Sequence, residues 1–445
     1  MTRPDRDPAE VDLDALVAAH PRCVWLDGGA GREWSGRTSW VAGLDEDDVS
    51  LTYDAVAGEV VRWTGRPGRW RRTVVGDDPF AVLAAEVAEQ PRARWFGYLG
   101  YAARRDLPAL LDADDPPEAV WLRPSRVRRV EHPGHPGGSG TADTGAPGHD
   151  TPDVLAAAAP TAYRSGFERV QEALHAGDSY EVNLTLRHRE CTGAAPAEVY
   201  RRLRAANPAP YAGFLAHDVD VPGRRSRAWL ASSSPERYAR LRRDAGGVVL
   251  EAKPMKGTAP RGADAADDAA RVAALRADTK VRAENLMIVD LLRNDVGSVS
   301  DPGTVEVPEL MEVETYAGVH QLVSSVRGRL RAGTGVVDAV RALFPAGSMT
   351  GAPKLRTMEV VAEAETSARG PYAGAFGWLD GDGADLAVVI RSLTSADGAT
   401  WSAGTGGGIT VRSDLDEEWA EAGWKLARVV PALRSPGRPS PPAAS

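Results

Sequence analysis

VRAENLMIVDLLRNDVG, Val281–Gly297, and SYEVNLTLRHR, Ser179–Arg189, carry the two patterns that decide the fold of this chain. In the first stretch apolar residues recur three and four positions apart, which predicts a helix with one buried side. The second alternates apolar and polar residues, which predicts a strand. Further helices are expected at Ser165–Ala176, Pro196–Ala206, Asp267–Gly297, Gly335–Leu343, Lys354–Ala364 and Glu417–Leu433. Further strands are expected at Cys23–Asp27, Glu59–Trp63, Trp95–Tyr101, Arg227–Ser232, Gly246–Glu251, Tyr372–Leu379, Leu386–Leu393 and Thr400–Ala403. This mixture predicts an α+β protein with long sheets.

Composition and charge exclude several classes of protein. The chain has 445 residues and a net charge of −9, whereas a protein that binds polyanions normally carries a basic excess. Two cysteines, Cys23 and Cys191, are too few for a disulfide framework. The N-terminal residues lack the apolar region of a secretory signal, and no apolar run approaches the roughly 20 residues that span a bilayer. We therefore expect a cytoplasmic enzyme or binding protein.

One segment divides the sequence. Residues 132–153, HPGHPGGSGTADTGAPGHDTPD, offer almost nothing to bury and predict a flexible linker or surface loop. The same reasoning predicts a disordered tail at 435–445. These segments separate an N-terminal region, 1–131, from a larger region, 154–434, which holds most of the candidate chemistry.

Glu284 is the first candidate for a functional carboxylate. Met287, Ile288 and Leu291 follow it at helical spacing, so Glu284 is expected on the apolar stripe. A lone buried carboxylate is unfavourable unless it is paired, protonated or bound to a cation. The alternative is a position at the edge of the stripe, paired with Lys280 one turn earlier.

A second acidic group occurs in DLDEEWAEAGWKLARVV, where Glu418, Glu421 and Lys425 share one helix face. Glu421 and Lys425 are spaced as a favourable surface ion pair. Two carboxylates one turn apart also suit Mg²⁺, which takes one or two protein carboxylates together with water and substrate oxygens. The spacing alone leaves both interpretations open.

Lys256 lies in KPMKGTAPRG, whose prolines and glycines predict a rigid, turn-rich segment. A lysine held in such a segment can act as a nucleophile when burial lowers its pKa, although most lysines in loops are only solvated. PAGSMTGAPK and AGTGGGIT are glycine-rich and predict loops that could present backbone N–H groups to an anion. Neither matches a nucleotide-binding motif.

Taken together and in order, these segments resemble the chorismate-utilising family that includes the component I subunits of anthranilate synthase and aminodeoxychorismate synthase, and the isochorismate and salicylate synthases. The segments are SPERY, PMKGTAPRG, ENLMIVDLLRND, VHQLVSSVRGRL, FPAGSMTGAPK, GPYAGAFGW, VVIRSL and AGTGGGI followed by EEWAEAGWK, with weaker matches in GDSYEVNLT and NPAPYAGF. Eight ordered motifs are far more specific than a lone glycine pattern. The resemblance implies a four-layer α/β/β/α sandwich with two large sheets, and a site in the cleft between its halves.

The resemblance also assigns the candidate site. It implies that Glu284, Glu418 and Glu421 hold Mg²⁺, which anchors the ring carboxylate of chorismate. The residues implied to contact the substrate are Thr258, Gln321, Ser348, Tyr372, Arg391, Gly404, Gly406 and Lys425. Arg391 suits the enolpyruvyl carboxylate because a guanidinium can bind a carboxylate bidentately. Glu236 is implied to act as the general acid or base at the departing hydroxyl.

Lys256 distinguishes members within this family. Enzymes resembling aminodeoxychorismate synthase carry P-x-K-G-T, and here Pro254–Thr258 reads PMKGT. The implied reaction is attack of the Lys256 amine at C2 of chorismate with loss of the C4 hydroxyl, followed by addition of ammonia at C4 to give 4-amino-4-deoxychorismate. Such a product serves the synthesis of p-aminobenzoate for folate or for antibiotics. The alternatives are anthranilate synthase chemistry, an amino-deoxyisochorismate synthase of specialised metabolism, or a non-catalytic chorismate-binding protein.

This chain departs from the family's usual pattern beside Leu322. Many members have a histidine directly before Leu-Val-Ser, where this chain has Gln321 and places His320 one residue earlier; His320 is taken as a candidate catalytic residue. Gln cannot donate a proton of matched pKa, which argues against anthranilate synthase chemistry.

Neither Cys23 nor Cys191 lies in a glycine-flanked nucleophile elbow, so ammonia is expected from a separate glutaminase subunit in a heterodimer. Trp25–Trp40 covers the region in which related enzymes hold a tryptophan, but it departs from their usual motif.

Overall fold

Two antiparallel sheets form the middle of the molecule in the computed structural model, which describes residues 11–28, 38–132, 155, 158–315 and 319–434. The strands are β1 Arg22–Asp27, β2 Thr38–Gly43, β3 Val49–Asp54, β4 Glu59–Thr64, β5 Arg71–Gly76, β6 Trp95–Leu99, β7 Ala119–Arg123, β8 Arg128–Glu131, β9 Glu181–Cys191, β10 Tyr211–His217, β11 Ala228–Ser234, β12 Arg237–Asp244, β13 Gly247–Lys253, β14 Met255–Pro260, β15 Glu306–Thr315, β16 Val319–Arg329, β17 Gly351–Ala352, β18 Ala375–Leu379, β19 Gly383–Val388, β20 Ser392–Ser395 and β21 Thr400–Ile409.

The helices of the described residues are α1 Leu13–Ala19, α2 Pro79–Glu89, α3 Thr161–His175, α4 Pro196–Ala206, α5 Ala265–Ala277, α6 Thr279–Val299, α7 Val336–Leu343, α8 Lys354–Ala364 and α9 Leu415–Leu426. Short 3-10 turns occur at Tyr101–Ala103, Gly347–Met349 and Val430–Leu433. No helix of the described residues is long and apolar enough to cross a membrane.

The first sheet has the strand order β17-β9-β21-β20-β11-β10-β1-β2-β8. The second has the order β14-β16-β13-β12-β19-β18-β6-β7-β3-β4-β5, with β15 also paired to β16. Strands from both sides of the predicted linker pair directly, β1 with β10 in the first sheet and β6 with β18 in the second. Residues 133–153 of the predicted linker and the predicted tail at 435–445 lie outside the described residues.

Apolar side chains fill three layers of core and hold the sheets and helices together. Between the sheets, Val24 and Leu215 of the first sheet pack against Phe96, Val120 and Phe376 of the second. Outside the first sheet, α4 packs on β11 and α9 on β21. Outside the second sheet, α6 packs on β16 and α7, which in turn contacts α2. The molecule is therefore an α+β protein built as the predicted α/β/β/α sandwich.

Several predicted elements differ from the observed ones. The single helix expected at Asp267–Gly297 is two helices, because the side chain of Asp278 accepts a hydrogen bond from the Val281 N–H and so begins α6. Leu386–Leu393 is divided between β19 of the second sheet and β20 of the first. The helix expected to Leu433 ends at Leu426.

Two predicted loops are strands. The turn-rich segment around Lys256 is β14, with Gly257 at φ +81° and an irregular register between Met255 and Thr258. The glycine run at 403–409 belongs to β21, which pairs along its whole length with β9. In both segments backbone pairing with a neighbouring strand outweighs the local preference for turns.

Candidate active site

Lys256 and Glu181 meet where the edges of the two sheets come together, a place that we call the cleft. Lys256 belongs to β14, the edge strand of the second sheet, and Glu181 begins β9, next to the edge of the first. The Lys256 ammonium donates a hydrogen bond to Oε1 of Glu181, whose side chain is 1% exposed. Oε2 of Glu181 is buried and accepts no hydrogen bond from any residue that the structure describes.

Carboxylates keep the Lys256 amine protonated. Burial by itself disfavours the ammonium, but the negative charges of Glu181, Glu284 and Glu236 outweigh burial and raise the pKa of Lys256 above its ordinary value. The condition named for a nucleophilic lysine, a pKa lowered by burial, is therefore not met in the resting site. At neutral pH the lysine carries a charge and has no lone pair for nucleophilic attack.

The glycines of β21 make room for these side chains. A Cβ at Gly408 would lie 2.0 Å from Oε1 of Glu181 and 3.1 Å from Nζ of Lys256. A Cβ at Gly404 would overlap the ring of Tyr372, and one at Gly407 would lie 2.8 Å from Oε2 of Glu418. The glycine run is thus required by close approach of side chains rather than by a loop.

Glu236 lies where the chain crosses from β11 of the first sheet to β12 of the second. Ser348, in the 3-10 turn after α7, donates a hydrogen bond of 2.8 Å to its Oε1. Burial raises the pKa of Glu236 to about 7, although the Ser348 hydrogen bond and the charges of Lys256 and Arg391 oppose this rise. A carboxyl group with this pKa can donate a proton near neutral pH.

Arg391 is a second cation, after Lys256, whose charge acts on Glu236. It has a left-handed backbone, with φ +48°, in the short link between β19 and β20. Burial and the charge of Arg428 lower its pKa to about 10, against the opposing effect of Glu236. Tyr372 packs on Gly404, and the guanidinium of Arg187 lies 4.5 Å from its ring centre.

Glu284, Glu418 and Glu421 form the acidic side of the cleft. Glu284 is at the edge of the buried stripe of α6, which runs one residue later than predicted, through Asn285, Ile288 and Leu292. Its predicted partner Lys280 instead lies 3.8 Å from Glu418, which also accepts a 2.7 Å hydrogen bond from Ser413. The predicted ion pair between Glu421 and Lys425 forms at 2.8 Å, and Lys425 also donates to the carbonyl oxygen of Gly406.

The chemistry of these carboxylates fits Mg²⁺. Burial raises the pKa of Glu284 to about 6. Burial, and to a smaller extent the charge of Glu421, also raises the pKa of Glu418. A divalent cation would relieve this excess of negative charge. In the described part of the chain no three acidic, histidine or cysteine side chains are close enough to share one ion. Two carboxylates suffice for Mg²⁺, which commonly completes its shell with water and substrate oxygens.

His320, Gln321 and Thr258 occupy the neighbouring pair of strands. His320 and Gln321 are consecutive in β16, so they point to opposite faces of the sheet. The ring nitrogens of His320 hydrogen-bond to Asp268 at 2.9 Å and Thr315 at 2.8 Å, and neither bond involves Lys256 or Glu236. Thr258 is exposed and is paired in register with buried Gln321. The roles assigned to these three residues stay predictions.

Comparison with known proteins matches residues 23–431 to the chorismate binding enzyme family. This chain belongs to that family. It is 38% identical over 474 residues to an aminodeoxychorismate synthase of Streptomyces pristinaespiralis, covering 97% of this chain and 64% of the relative. It is 35% identical over 448 residues to anthranilate synthase component 1 of Streptomyces coelicolor, covering 88% and 85%. The chain thus spans less than two thirds of the length of the first relative and most of the second.

Solved structures of other proteins share the fold of this member of the chorismate binding enzyme family. The crystal structure of anthranilate synthase component I from Streptococcus pneumoniae superposes with a TM-score of 0.68 over 97% of this chain and all of that one, at 23% sequence identity. This likeness agrees with the two large sheets described above and confirms the predicted fold class.

Glu181 is the residue of the site that sequence reasoning missed. Its neighbours Asn183 and Thr185 are also buried, so the polar face of β9 points inward while Val182 and Leu184 pack on the helices. A strand with apolar residues on one face and Glu, Asn and Thr on the other predicts a solvated polar face, whereas here both faces are covered. The available signal was Glu181 in GDSYEVNLT, a carboxylate that begins the polar row continued by Asn183 and Thr185.

A separate cavity of about 250 Å³ lies between the sheets on the N-terminal side. It is lined by residues of both sheets, among them Leu26, Trp40, Tyr211, Phe376 and Trp378. Trp40 ends the segment Trp25–Trp40 singled out above, of which residues 29–37 lie outside the described part.

Proposed function

We propose that this chain is an aminodeoxychorismate synthase component I, which converts chorismate and ammonia to 4-amino-4-deoxychorismate through a covalent bond to Lys256. The observation that carries the proposal is the placement of a buried lysine amine in the same cleft as Glu236, a carboxyl group with a pKa of about 7. A nucleophile and a proton donor are the two groups that this substitution needs.

In the first half of the proposed reaction, the neutral Lys256 amine forms a bond to C2 of chorismate. The ring double bond shifts, and the C4 hydroxyl leaves as water after taking the proton of Glu236. The enzyme then holds a secondary ammonium between Lys256 and the ring, and Glu236 is ionised. Ser348 holds the Glu236 carboxyl group in position through its 2.8 Å hydrogen bond.

In the second half, ammonia forms a bond to C4 and the bond between C2 and Lys256 breaks. Lys256 leaves as a neutral amine, and the new amino group gives its extra proton to Glu236. Two allylic displacements thus replace one difficult substitution, and the sum is chorismate plus ammonia giving product plus water.

Substrate contacts are proposed on the cationic and glycine-lined side of the cleft. Arg391 and Tyr372 would bind the enolpyruvyl carboxylate, and Lys425 would contribute positive charge. The further proposed contacts are Thr258, Gln321, Ser348 and the backbone at Gly404 and Gly406. Mg²⁺ would be held by two carboxylates of the set Glu284, Glu418 and Glu421 together with water and substrate oxygens, and when bound it would offset the negative charge of the substrate.

Ammonia is proposed to come from a separate glutaminase subunit. Neither Cys23, which is buried in β1, nor Cys191, at the end of β9, has the setting of a nucleophilic thiol, and burial raises the pKa of Cys23 to about 12. The purified chain should use ammonium and should not turn over glutamine by itself. Glutamine hydrolysis by the chain alone would contradict this part of the proposal.

Anthranilate synthase chemistry is the second candidate, because the chain is also similar to an anthranilate synthase component 1 along most of its length. The two products separate the candidates. Anthranilate is aromatic and fluorescent, whereas aminodeoxychorismate keeps its enolpyruvyl group until a lyase removes it. Fluorescence that appears without added lyase would favour the second candidate.

Substitution of the lysine tests the proposed function. Lys256→Ala should lower the rate of aminodeoxychorismate formation by roughly 1,000-fold or more, because the nucleophile is lost, while chorismate still binds. Lys253→Ala is the matched control, since Lys253 is also buried but its amine pairs with Glu314 at 2.6 Å. The control should keep activity within a few-fold. Full activity of Lys256→Ala would refute the covalent route.

A further inference from the structure

The protonated state of Lys256 poses a problem for the proposed reaction. Its amine donates a hydrogen bond to the Glu181 carboxylate, and a lysine in such an ion pair is an ammonium at neutral pH, which cannot attack carbon. Before the first bond forms, one proton must leave Nζ. The group that receives this proton must contact Nζ and must be able to hold a proton inside a closed cleft.

Glu181 meets these requirements by contact and burial. Its Oε1 accepts the Lys256 hydrogen bond, and its side chain is 1% exposed. Its Oε2 has no hydrogen-bond partner among the described residues, although a buried carboxylate normally uses its acceptor positions. A carboxylate with one oxygen free of partners can receive a proton from Lys256 without first giving up another hydrogen bond.

The other charged groups that face Lys256 are engaged elsewhere. Glu236 on the crossing from β11 to β12 accepts from Ser348 and is the proposed acid for the leaving hydroxyl. Glu284 on α6 and Glu421 on α9 act on Lys256 through charge only, and Glu421 pairs with Lys425. Of the described residues that influence Lys256, Glu181 alone is hydrogen-bonded to its amine.

We propose that Glu181 is the base that takes one proton from the Lys256 amine when substrate fills the cleft, and that returns it when the amine is released. The step is Lys256 ammonium plus Glu181 carboxylate giving Lys256 amine plus Glu181 carboxylic acid, so no proton leaves the pair. Substrate expels water from the cleft, and a neutral pair is favoured over an ion pair when water is excluded. This role rests on the proposed function, since it presupposes attack by Lys256.

Gly408 supports the assignment by geometry. It lies against both members of the pair, where any side chain would overlap Oε1 of Glu181. The strand β21 therefore keeps the amine and the carboxylate in direct contact. The proton can move along an existing hydrogen bond without a change in the backbone.

Glu181→Gln tests the role of this base. The amide oxygen can still accept the hydrogen bond from Lys256, and the amide nitrogen takes the place of the unpaired Oε2, but the side chain can no longer hold the proton. The rate of adduct formation is measured by rapid mixing of the whole chain with chorismate and Mg²⁺ from pH 6 to pH 9. Near pH 7 the variant should be slower by roughly 100-fold, the usual contribution of a general base.

The pH profile separates a base from a structural role. In Glu181→Gln the lysine proton must pass to water, so the fraction of free amine rises with pH and the deficit relative to wild type should shrink at alkaline pH. The quantity compared is the ratio of the adduct-formation rates of Glu181→Gln and wild type at each pH. The titration of Glu236 affects both rates alike and therefore cancels in this ratio. A deficit that is the same at every pH, or no deficit, would overturn the proposal.

Two further variants complete the test. Glu181→Asp retains a carboxylate and should recover part of the rate and the wild-type pH dependence, which a purely steric role would not produce. Glu314→Gln is the matched control, because it alters the carboxylate that pairs with Lys253; its adduct rate should equal that of wild type. If wild type itself forms no adduct, the proposed function fails together with this role. If wild type forms one and Glu181→Gln matches it at every pH, this role alone fails.

Discussion

Two buried glutamates lie at strand β9 and differ in their surroundings. Glu181 is the first residue of β9 and pairs with Lys256, whereas Glu365 contacts Thr185 of β9 and pairs with Arg369. Both oxygens of Glu365 accept hydrogen bonds from Arg369, and Oε1 also accepts from the N–H and hydroxyl of Thr185. Arg369 in turn donates to two backbone carbonyl oxygens, those of Asn183 and Met349. Glu181 has a single partner, Lys256, and one oxygen without any among the described residues.

This difference separates a charge pair that stabilises the fold from one that is available for chemistry. A buried ion pair is tolerated when every donor and acceptor is satisfied, as around Glu365. The Glu181 pair leaves hydrogen-bonding capacity unused beside a cleft, which is how functional groups differ from structural ones. Replacement of glutamate by glutamine should therefore mainly lower stability at position 365 and mainly lower activity at position 181.

The largest effect on stability is expected from Glu365→Gln. The amide nitrogen would face a donor of Arg369 and leave that guanidinium buried without a countercharge, so the free energy of unfolding should fall by about 3 kcal/mol or more. Glu181→Gln should change it by no more than about 1 kcal/mol, because its one hydrogen bond is kept and the negative charges of Glu284 and Glu236 still act on Lys256. Denaturant titration of both variants measures their free energies of unfolding. Equal losses in the two variants would contradict the distinction between Glu365 and Glu181.

A surface pair provides the control for that comparison. Arg356 on α8 is 45% exposed and pairs with Asp178 at 2.6 Å. Arg356→Met should alter the free energy of unfolding by less than about 1 kcal/mol, as is usual for exposed ion pairs. A loss as large as that of Glu365→Gln would indicate that burial is not the cause.

A smaller effect is expected at Ser348. Its hydrogen bond lowers the pKa of Glu236, so Ser348→Ala should raise that pKa further above its present value of about 7. Glu236 acts as an acid and is competent below its pKa; activity should therefore fall as pH rises through about 7 in wild type and only at higher pH in the variant. Rates of product formation across pH measure the shift. An unchanged or lower alkaline limit would contradict the assigned proton donor.

Sequence reasoning anticipated the fold class and most of the long elements. Pro196–Ala206 and Lys354–Ala364 were predicted to the residue, because helical spacing of apolar residues is a local signal. The strands β2, β3, β5, β7, β8, β10, β12, β15, β16 and β17 were not predicted. Most of them are short, and all depend on pairing with neighbouring strands, which the sequence of a single strand does not show.

The candidate site was anticipated through ordered motifs rather than through spacing. Lys256 and Glu236 lie in such motifs, and the structure brings both to one cleft. Glu181 lies in a weaker match, 75 residues before Lys256, and it reaches the amine only because the edges of two sheets come together. A contact between separate sheets leaves no periodic trace in the sequence. The glycine run of β21 was predicted as a loop for a related reason. Glycine is needed there because side chains of other elements approach the strand closely.

Trapping the covalent bond tests the central claim most directly. Wild-type chain is incubated with chorismate and Mg²⁺ without ammonia, quenched in acid and analysed by intact mass and peptide mapping. The account predicts a mass increase equal to chorismate less one water, located on the peptide that contains Lys256 and absent from Lys256→Ala. The absence of any adduct under conditions in which the same preparation forms product with ammonia, or an adduct on another residue, would contradict it.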